Sequence, residues 1–253
     1  MTIAGFDNFS FSADEITHTV YRKGNGPAVL LMHELPGMTK QCVAFAEAIA
    51  AQGFTVHMPL MFGVPGKMAS VGVILKVCIS REFQMFALGG KSPIVDWMRA
   101  LGRKAHQDCG GPGIGAIGMC LTGNFVISLM VDDTVLAPVA SQPSLPLGFS
   151  NAKKRSIGVP QEDVERAMRR GVPIMGLRFS GDFACTPLRF AAIRAAFGDQ
   201  FREIVIDSSP GNPHGISKRA HGVLTQDFVD KEGHPTLDAR RAVFAFLAER
   251  LKA

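Results

Sequence analysis

The stretch GIGAIGMCLTGNFVISLMV, residues 113–131, decides how this chain folds. Residues 113–119 form a short apolar run of the kind found in buried strands, and the apolar spacing over residues 121–131 is typical of a helix. A turn at Cys120 must connect the two elements. Small residues are needed near so sharp a turn, and Gly118 and Gly123 flank the cysteine. The stretch therefore predicts a strand, a tight turn and a helix, with a thiol at the turn.

The order of strand and then helix repeats along the chain. Apolar runs predict buried strands at residues 27–33, 54–58, 113–119, 135–140, 173–179 and 201–206, and helical spacing occurs at residues 39–52, 94–105, 121–131, 187–197 and 237–251. This order predicts an α/β fold, with a mainly parallel central sheet and helices on both faces. Residues 16–22 alternate in polarity and lead into a Gly-rich turn, which predicts an antiparallel edge hairpin that leads into the first buried strand.

Composition excludes several classes of protein. With 253 residues, 47% hydrophobic and 19% charged, the chain can bury a core of ordinary size and is too apolar for disorder. We expect a single domain over residues 1–253. The net charge of +5 is spread along the chain except at residues 153–155 and 166–170, so we expect no nucleic-acid partner. No apolar run reaches the roughly 18 residues of a membrane span, so we expect no membrane association and a cytoplasmic location. We further expect a monomer or weak homo-oligomer.

The cysteines do not suggest a disulfide framework, because they are odd in number and lack a C-x-x-C pair. They are Cys42, Cys78, Cys109, Cys120 and Cys185. His106 and Cys109 supply only two possible ligands, too few for a zinc site, and we expect neither a metal nor an organic cofactor. A cysteine is more often a packed core thiol than a nucleophile, so Cys120 needs support from other residues.

The turn at Cys120 resembles the nucleophile elbow G-x-S-x-G, with cysteine in place of serine. Thr122 stands where the second glycine is usual, and Gly123 follows it. A thiol at the start of a helix lies at the positive end of the helix dipole, which favours the thiolate. Residues 113–118 also spell G-x-G-x-x-G, but these glycines lie within the strand and not after it, which argues against dinucleotide binding.

An elbow nucleophile needs an imidazole base and an acid that orients it, in the chain order nucleophile, acid, base. Asp182 follows the strand at residues 173–179, and His221 follows the strand at residues 201–206. An ordinary turn aspartate is the alternative interpretation of Asp182. His214 and His234, each beside a proline in a loop, are the alternatives to His221.

The turn after the first buried strand offers a further part of such a site. Backbone N–H groups of Leu35 and Leu121 are the candidates for an oxyanion hole. Glu34 is either a surface carboxylate at a strand end or, beside a thiol, a group that takes part in activating it.

In this order, four features resemble the dienelactone hydrolase family (carboxymethylenebutenolidase-like) of α/β hydrolases. They are Glu34, the turn Gly118-Met119-Cys120-Leu121, Asp182 and His221. In that family a Cys-Asp-His triad opens lactone or ester bonds, and a glutamate beside the cysteine takes part in forming the thiolate. The resemblance covers roughly residues 25–250. It implies that Cys120 is the nucleophile, His221 the base, Asp182 its orienting acid and Glu34 an auxiliary acid.

The resemblance also bears on the substrate. Members specific for dienelactone hold the substrate carboxylate with arginines; Arg81 matches one of them, and Thr225 stands where the other is expected. An insertion at about residues 142–171, rich in Ser, Pro, Lys and Arg, is predicted to cover the pocket. The leading hypothesis is a hydrolase of small lactones or carboxylic esters. The alternatives are a thioesterase or acyltransferase, and a scaffold that binds a ligand or senses oxidants through Cys120 without turnover.

Overall fold

A computed structural model of the chain describes residues 2–70, 72, 92–144 and 156–252. Within these ranges eight strands form one sheet in the order β1-β2-β4-β3-β5-β6-β7-β8. The strands are β1 (Asp7–Ala13), β2 (Ile16–Lys23), β3 (Ala28–Met32), β4 (Thr55–Pro59), β5 (Ile114–Met119), β6 (Val135–Ser141), β7 (Ile174–Phe179) and β8 (Phe201–Ile206). The helices are α1 (Lys40–Ala51), α2 (Pro93–Cys109), α3 (Leu121–Leu129), α4 (Gln161–Arg169), α5 (Pro187–Phe197) and α6 (Pro235–Leu251).

The predicted α/β class with a mainly parallel sheet is confirmed. Strands β3 to β8 pair in parallel, as the apolar runs predict for strands that are covered on both faces. Apolar side chains of α1 and α6 pack on one face of the sheet, and those of α2 to α5 pack on the other. All nine residues of α3 are buried, so the helix that follows Cys120 lies at the centre of the molecule.

The edge of the sheet differs from the prediction. β2 is antiparallel, as expected, but its neighbours are β1 and β4 and not β3, so the turn at residues 23–27 does not close a hairpin. The hairpin is formed instead by β1 and β2 around Asp14 and Glu15, both with positive φ. Turns of this kind usually carry Asn-Gly or Asp-Gly. An Asp-Glu pair gives no such signal, and the prediction therefore missed β1.

The parallel register brings the ends of several strands to one edge. Met32 of β3 aligns with Gly118 of β5, and Met119 of β5 aligns with Ser141 of β6. The segments that follow β3, β5, β6 and β7 therefore leave the sheet side by side, at the carboxyl edge where α/β proteins build their sites.

Two expectations fall partly or wholly outside the described ranges. Residues 145–155 of the predicted insertion are not described, while residues 156–171 include α4. Arg81 also lies outside the described residues. In the part of the chain that is described, no helix combines the length and the apolar character needed to cross a membrane.

Candidate active site

Cys120 occupies the sharp turn between β5 and α3 in a backbone conformation that L-residues rarely adopt. Its φ is 57° and its ψ is −120°, which is strained for any residue other than glycine. The flanking glycines are required by close approach: a Cβ on Gly118 would lie 2.1 Å from the carbonyl oxygen of Thr122, and one on Gly123 would lie 2.9 Å from that of Ser141. The turn predicted from the sequence is therefore present, with the thiol half-buried at its apex.

Thr122 explains why the second glycine of the usual pattern is absent. Its buried hydroxyl accepts a hydrogen bond from the N–H of Met119 at 2.9 Å, and lies 3.0 Å from the carbonyl oxygen of Met32, to which it donates. The hydroxyl thus ties the end of β3 to the turn after β5. The small residue that the turn needs is supplied one position later, by Gly123.

Asp182 and His221 lie together although they are far apart in sequence. Nδ1 of His221 is 2.7 Å from Oδ2 of Asp182. The second oxygen, Oδ1, accepts from the backbone N–H groups of Ala184 at 2.8 Å and Cys185 at 3.1 Å. The carboxyl is therefore fixed on both sides and holds the Nδ1 proton of the imidazole, so the free lone pair of the neutral ring is on Nε2.

Cys120 lies close enough to His221 to interact with the charge of its ring. Burial disfavours a charged imidazole, but the hydrogen bond to Asp182 and the interaction with Cys120 outweigh it and raise the pKa of His221 well above its usual value. The hydrogen-bonded Asp182–His221 pair thus lies beside the thiol of Cys120, and a proton that leaves the thiol has a favourable acceptor there.

Asp227 holds His221 in place and was not predicted from the sequence. Its Oδ2 accepts from the backbone N–H groups of His221 at 2.8 Å and Gly222 at 2.9 Å. A carboxylate that closes its own loop is a common turn device, so the residue gives no functional signal in the sequence. The alternative bases lie elsewhere: His234 caps α6 through Thr236, and its ring packs edge-on against that of His214.

Glu34 is fully buried directly after β3 and takes two hydrogen bonds. One comes from the hydroxyl of Thr225, and the other from Nε2 of Gln142 at 3.1 Å. Burial raises the pKa of Glu34, while both of these hydrogen bonds act in the opposite direction. Neither oxygen is hydrogen-bonded to Cys120 within the described residues. The carboxyl lies close enough to interact with the charge of His221, but the structure does not place it against the thiol.

Thr225, which stands where the family resemblance leads one to expect an arginine, contacts the carboxyl of Glu34 directly. Gln142, its counterpart on the other oxygen, is fully buried and has a positive φ of 34°. The hydroxyl of Ser141 hydrogen-bonds to the amide oxygen of Gln142. Glu34 is thus held by a buried polar network from two distant loops, which no local pattern in the sequence could reveal.

The candidate oxyanion-hole residues occupy the expected turns. Leu121 is the first residue of α3, where backbone N–H groups have no acceptor within the helix. Leu35 lies in the turn after β3, which is closed by a hydrogen bond of 2.6 Å from the N–H of Gly37 to the carbonyl of Glu34. Among the described residues no group of three or more His, Cys, Asp or Glu side chains is arranged to hold a metal ion.

The fold and this site define an α/β hydrolase: a mainly parallel sheet, a strained turn after a central strand, and an Asp-His pair at the carboxyl edge. The sequence model of the dienelactone hydrolase family matches residues 16–250. The chain belongs to that family, and it is therefore a hydrolase of the type that acts on lactone and ester bonds. No curated protein sequence matches it significantly.

Solved structures with the same fold cover nearly the whole chain at low sequence identity. A protein of Klebsiella pneumoniae subsp. pneumoniae MGH 78578 that is assigned as a dienelactone hydrolase has a TM-score of 0.67 and 16% identity, with 96% of this chain and 98% of that chain covered. A cold-adapted esterase from an Arctic intertidal metagenomic library has a TM-score of 0.64 and 15% identity, with 99% and 97% covered. Est1E from Butyrivibrio proteoclasticus has a TM-score of 0.61 and 12% identity, with 96% and 98% covered.

Proposed function

We propose that this protein hydrolyses small lactones or carboxylic esters through an acyl-enzyme on Cys120. The observation that carries the proposal is the hydrogen bond between Asp182 and His221, together with the position of Cys120 close enough to interact with the imidazole. Each of the three residues has the chemistry that its place requires: a half-buried thiol at a sharp turn, an imidazole beside it and a buried carboxylate behind the imidazole.

Acylation begins when Sγ of Cys120 attacks the carbonyl carbon of the substrate. A bond forms between sulfur and carbon, the thiol proton moves to Nε2 of His221, and the π electrons of the carbonyl move onto its oxygen. When the tetrahedral intermediate collapses, the bond to the leaving oxygen breaks and that oxygen takes the proton from His221. The product is a thioester on Cys120 and a free alcohol, or for a lactone a hydroxyl on the same acyl chain.

Backbone N–H groups of Leu121 and Leu35 are the proposed donors to the oxyanion. Preorganised donors of this kind stabilise the charge that develops in the transition state without needing to reorient. The positive end of the α3 dipole lies at the same place and acts in the same direction.

Deacylation reverses the roles of the imidazole. Water attacks the thioester carbon while Nε2 of His221 accepts one of its protons. The carbon–sulfur bond then breaks, the proton returns to Sγ, and the carboxylic acid leaves. The free thiol and the neutral imidazole are restored, so no co-reactant other than water is consumed.

Glu34 acts on this cycle through charge and not through direct contact with the thiol. Burial raises the pKa of Glu34 and disfavours its charged form, whereas a charged His221 favours it, so the carboxylate and the imidazolium stabilise each other when both are charged. Since Thr225 carries no charge, the position beside Glu34 lacks the cation that would hold a substrate carboxylate. We therefore propose the class of small lactones and esters and not dienelactone in particular, with Arg81 as a predicted contact for an acidic substrate.

The test is mass spectrometry of the intact protein during exposure to activated esters and small lactones. Wild type should show a transient mass increase equal to the acyl group while product accumulates, and Cys120→Ala should show neither. Cys109→Ala is the matched control, because Cys109 is also half-buried but lies at the end of α2, outside the site. Full turnover by Cys120→Ala would refute the proposal. An acyl group that is passed to an added alcohol or thiol faster than to water would indicate an acyltransferase instead.

A further inference from the structure

Ser144 makes a second polar contact to the sulfur of Cys120. Its Oγ lies 3.1 Å from Sγ, and the residue is buried, in the segment that follows β6. The sequence gives no sign of this contact, because the two residues are 24 positions apart and Ser144 stands in a Ser/Pro-rich stretch. The sulfur therefore faces both the imidazole of His221 and a hydroxyl.

The backbone of Ser144 is fixed by hydrogen bonds on both sides. Its N–H donates to the carbonyl of Cys120 at 3.1 Å, and its carbonyl accepts from Nδ2 of Asn124 at 2.8 Å. Asn124 is itself buried in α3, where Nδ2 also donates to the carbonyl of Leu121 at 3.1 Å and Oδ1 accepts from Arg189 at 3.1 Å. The hydroxyl is thus held against the sulfur by the same helix that positions the elbow.

The chemistry of this contact changes with the state of the thiol. A neutral thiol can donate to His221 or exchange donor and acceptor roles with a hydroxyl. Once His221 holds the proton, the sulfur is an anion that can only accept, and the hydroxyl of Ser144 is then a donor already in place. Hydrogen bonds to a charged acceptor are stronger than those between neutral groups, so the contact stabilises the thiolate more than the thiol.

We propose that Ser144 is a fourth catalytic residue, whose hydroxyl donates a hydrogen bond to the thiolate of Cys120 when His221 takes the proton. No bond is made or broken at Ser144, and its own proton stays on Oγ throughout. The inference rests on the proposed function, in which Cys120 is the nucleophile. It assigns Ser144 the task of keeping the sulfur ionised between proton transfer and attack.

The readout is the rate at which iodoacetamide alkylates Cys120, followed by mass spectrometry from pH 4 to pH 10. For Ser144→Ala we expect the midpoint of the pH–rate profile to move up by about one pH unit, and alkylation below the midpoint to slow about tenfold, while the alkaline plateau is unchanged. Ser128→Ala is the matched control, because it removes another buried serine hydroxyl from the same region. Its profile should match wild type.

A second pair of variants separates the hydroxyl from packing. Ser144→Thr and Ser144→Val have nearly the same shape, so the inference requires a wild-type-like profile for threonine and an alanine-like profile for valine. This pair keeps the test decisive if alanine at this position impairs folding. A valine profile that superimposes on the threonine profile would overturn the inference.

The outcome is distinguishable from failure of the proposed function. Alkylation reports the thiolate whether or not an ester is turned over, whereas turnover by Cys120→Ala reports the function alone. If Cys120-dependent turnover is found and the Ser144→Ala profile superimposes on wild type, the proposed function stands and the role of Ser144 is refuted.

Discussion

Asp182→Asn tests the proposed proton path directly, because the structure fixes the direction in which the new amide points. Oδ1 of Asp182 accepts from two backbone N–H groups, those of Ala184 and Cys185. An asparagine keeps its oxygen on these donors, so its NH₂ group faces Nδ1 of His221. Nδ1 must then act as an acceptor, which places the imidazole proton on Nε2. The ring has no lone pair left for the proton of Cys120.

The expected loss of rate depends on how much the nucleophile needs a base. The equivalent change in serine proteases lowers kcat about 10⁴-fold, or about 5.4 kcal/mol of transition-state stabilisation. A free cysteine is already a few per cent thiolate at pH 7 and needs a base less than serine does. We therefore expect acylation at pH 7 to slow by about 10²- to 10⁴-fold, and the loss to shrink as the pH passes about 8.5, where a free thiol ionises in water.

The assay is the burst of leaving group from an activated chromogenic ester, followed by stopped flow from pH 6 to pH 10. Asp207→Asn is the control, because it makes the same change at an exposed carboxylate in the neighbouring loop, where it accepts from the N–H of Ser209 at 2.8 Å. Wild-type acylation by Asp182→Asn at pH 7 would refute the assignment of the acid. An equal loss at pH 7 and at pH 10 would refute the argument that the thiol can ionise without the base.

Three further predictions concern the scaffold of the site. Gly118→Ala should lower the free energy of unfolding by more than about 4 kcal/mol in denaturant titrations, because the new Cβ would lie 2.1 Å from the backbone carbonyl oxygen of Thr122. Thr225→Val should lower it by about 1–3 kcal/mol, because one oxygen of buried Glu34 loses its hydroxyl donor. The difference in free energy of unfolding between wild type and His221→Asn should be greatest below about pH 6.5 and decline at higher pH. The reason is that the folded state raises the pKa of His221 and favours its protonated form.

Each of these predictions has a control on the same chain. Gly211→Ala adds a methyl group to open space at a positive φ and should cost only about 1 kcal/mol. Thr225→Ser keeps the hydroxyl and should retain most of the stability that valine removes. His214→Asn changes an exposed histidine and should show no comparable decline with pH. A difference between wild type and His221→Asn that grows from pH 6 to pH 9 would contradict the charge argument.

The central sheet could be predicted because its strands are buried on both faces. Such strands appear as continuous apolar runs, and the runs at β3, β5 and β7 are unmistakable in the sequence. The edge could not be predicted in the same way. β1 is largely exposed, and its residues alternate only weakly in polarity. The turn that follows it contains Asp14 and Glu15, which are not typical of such turns, so neither burial nor turn chemistry identifies the strand.

Site residues that directly follow strands could be predicted from the sequence. Contacts between residues far apart in the sequence could not. Asp182 and His221 could be selected by their order in the chain, and the structure brings them together with Cys120. The contact between Glu34 and Thr225 joins residues 191 positions apart, and Ser144 lies in a polar stretch that resembles any loop. Such contacts are set by the register of the sheet and leave no local pattern.

The left-handed backbone at Cys120 means that the most important side chain of the proposed site occupies the place where folding alone would favour having none. Glycine adopts this conformation without strain, whereas cysteine pays about 1–3 kcal/mol for it. A population selected only for thermal robustness would therefore accumulate glycine at position 120 and lose the thiol. Stability and the proposed chemistry therefore make opposite demands on the residue at position 120.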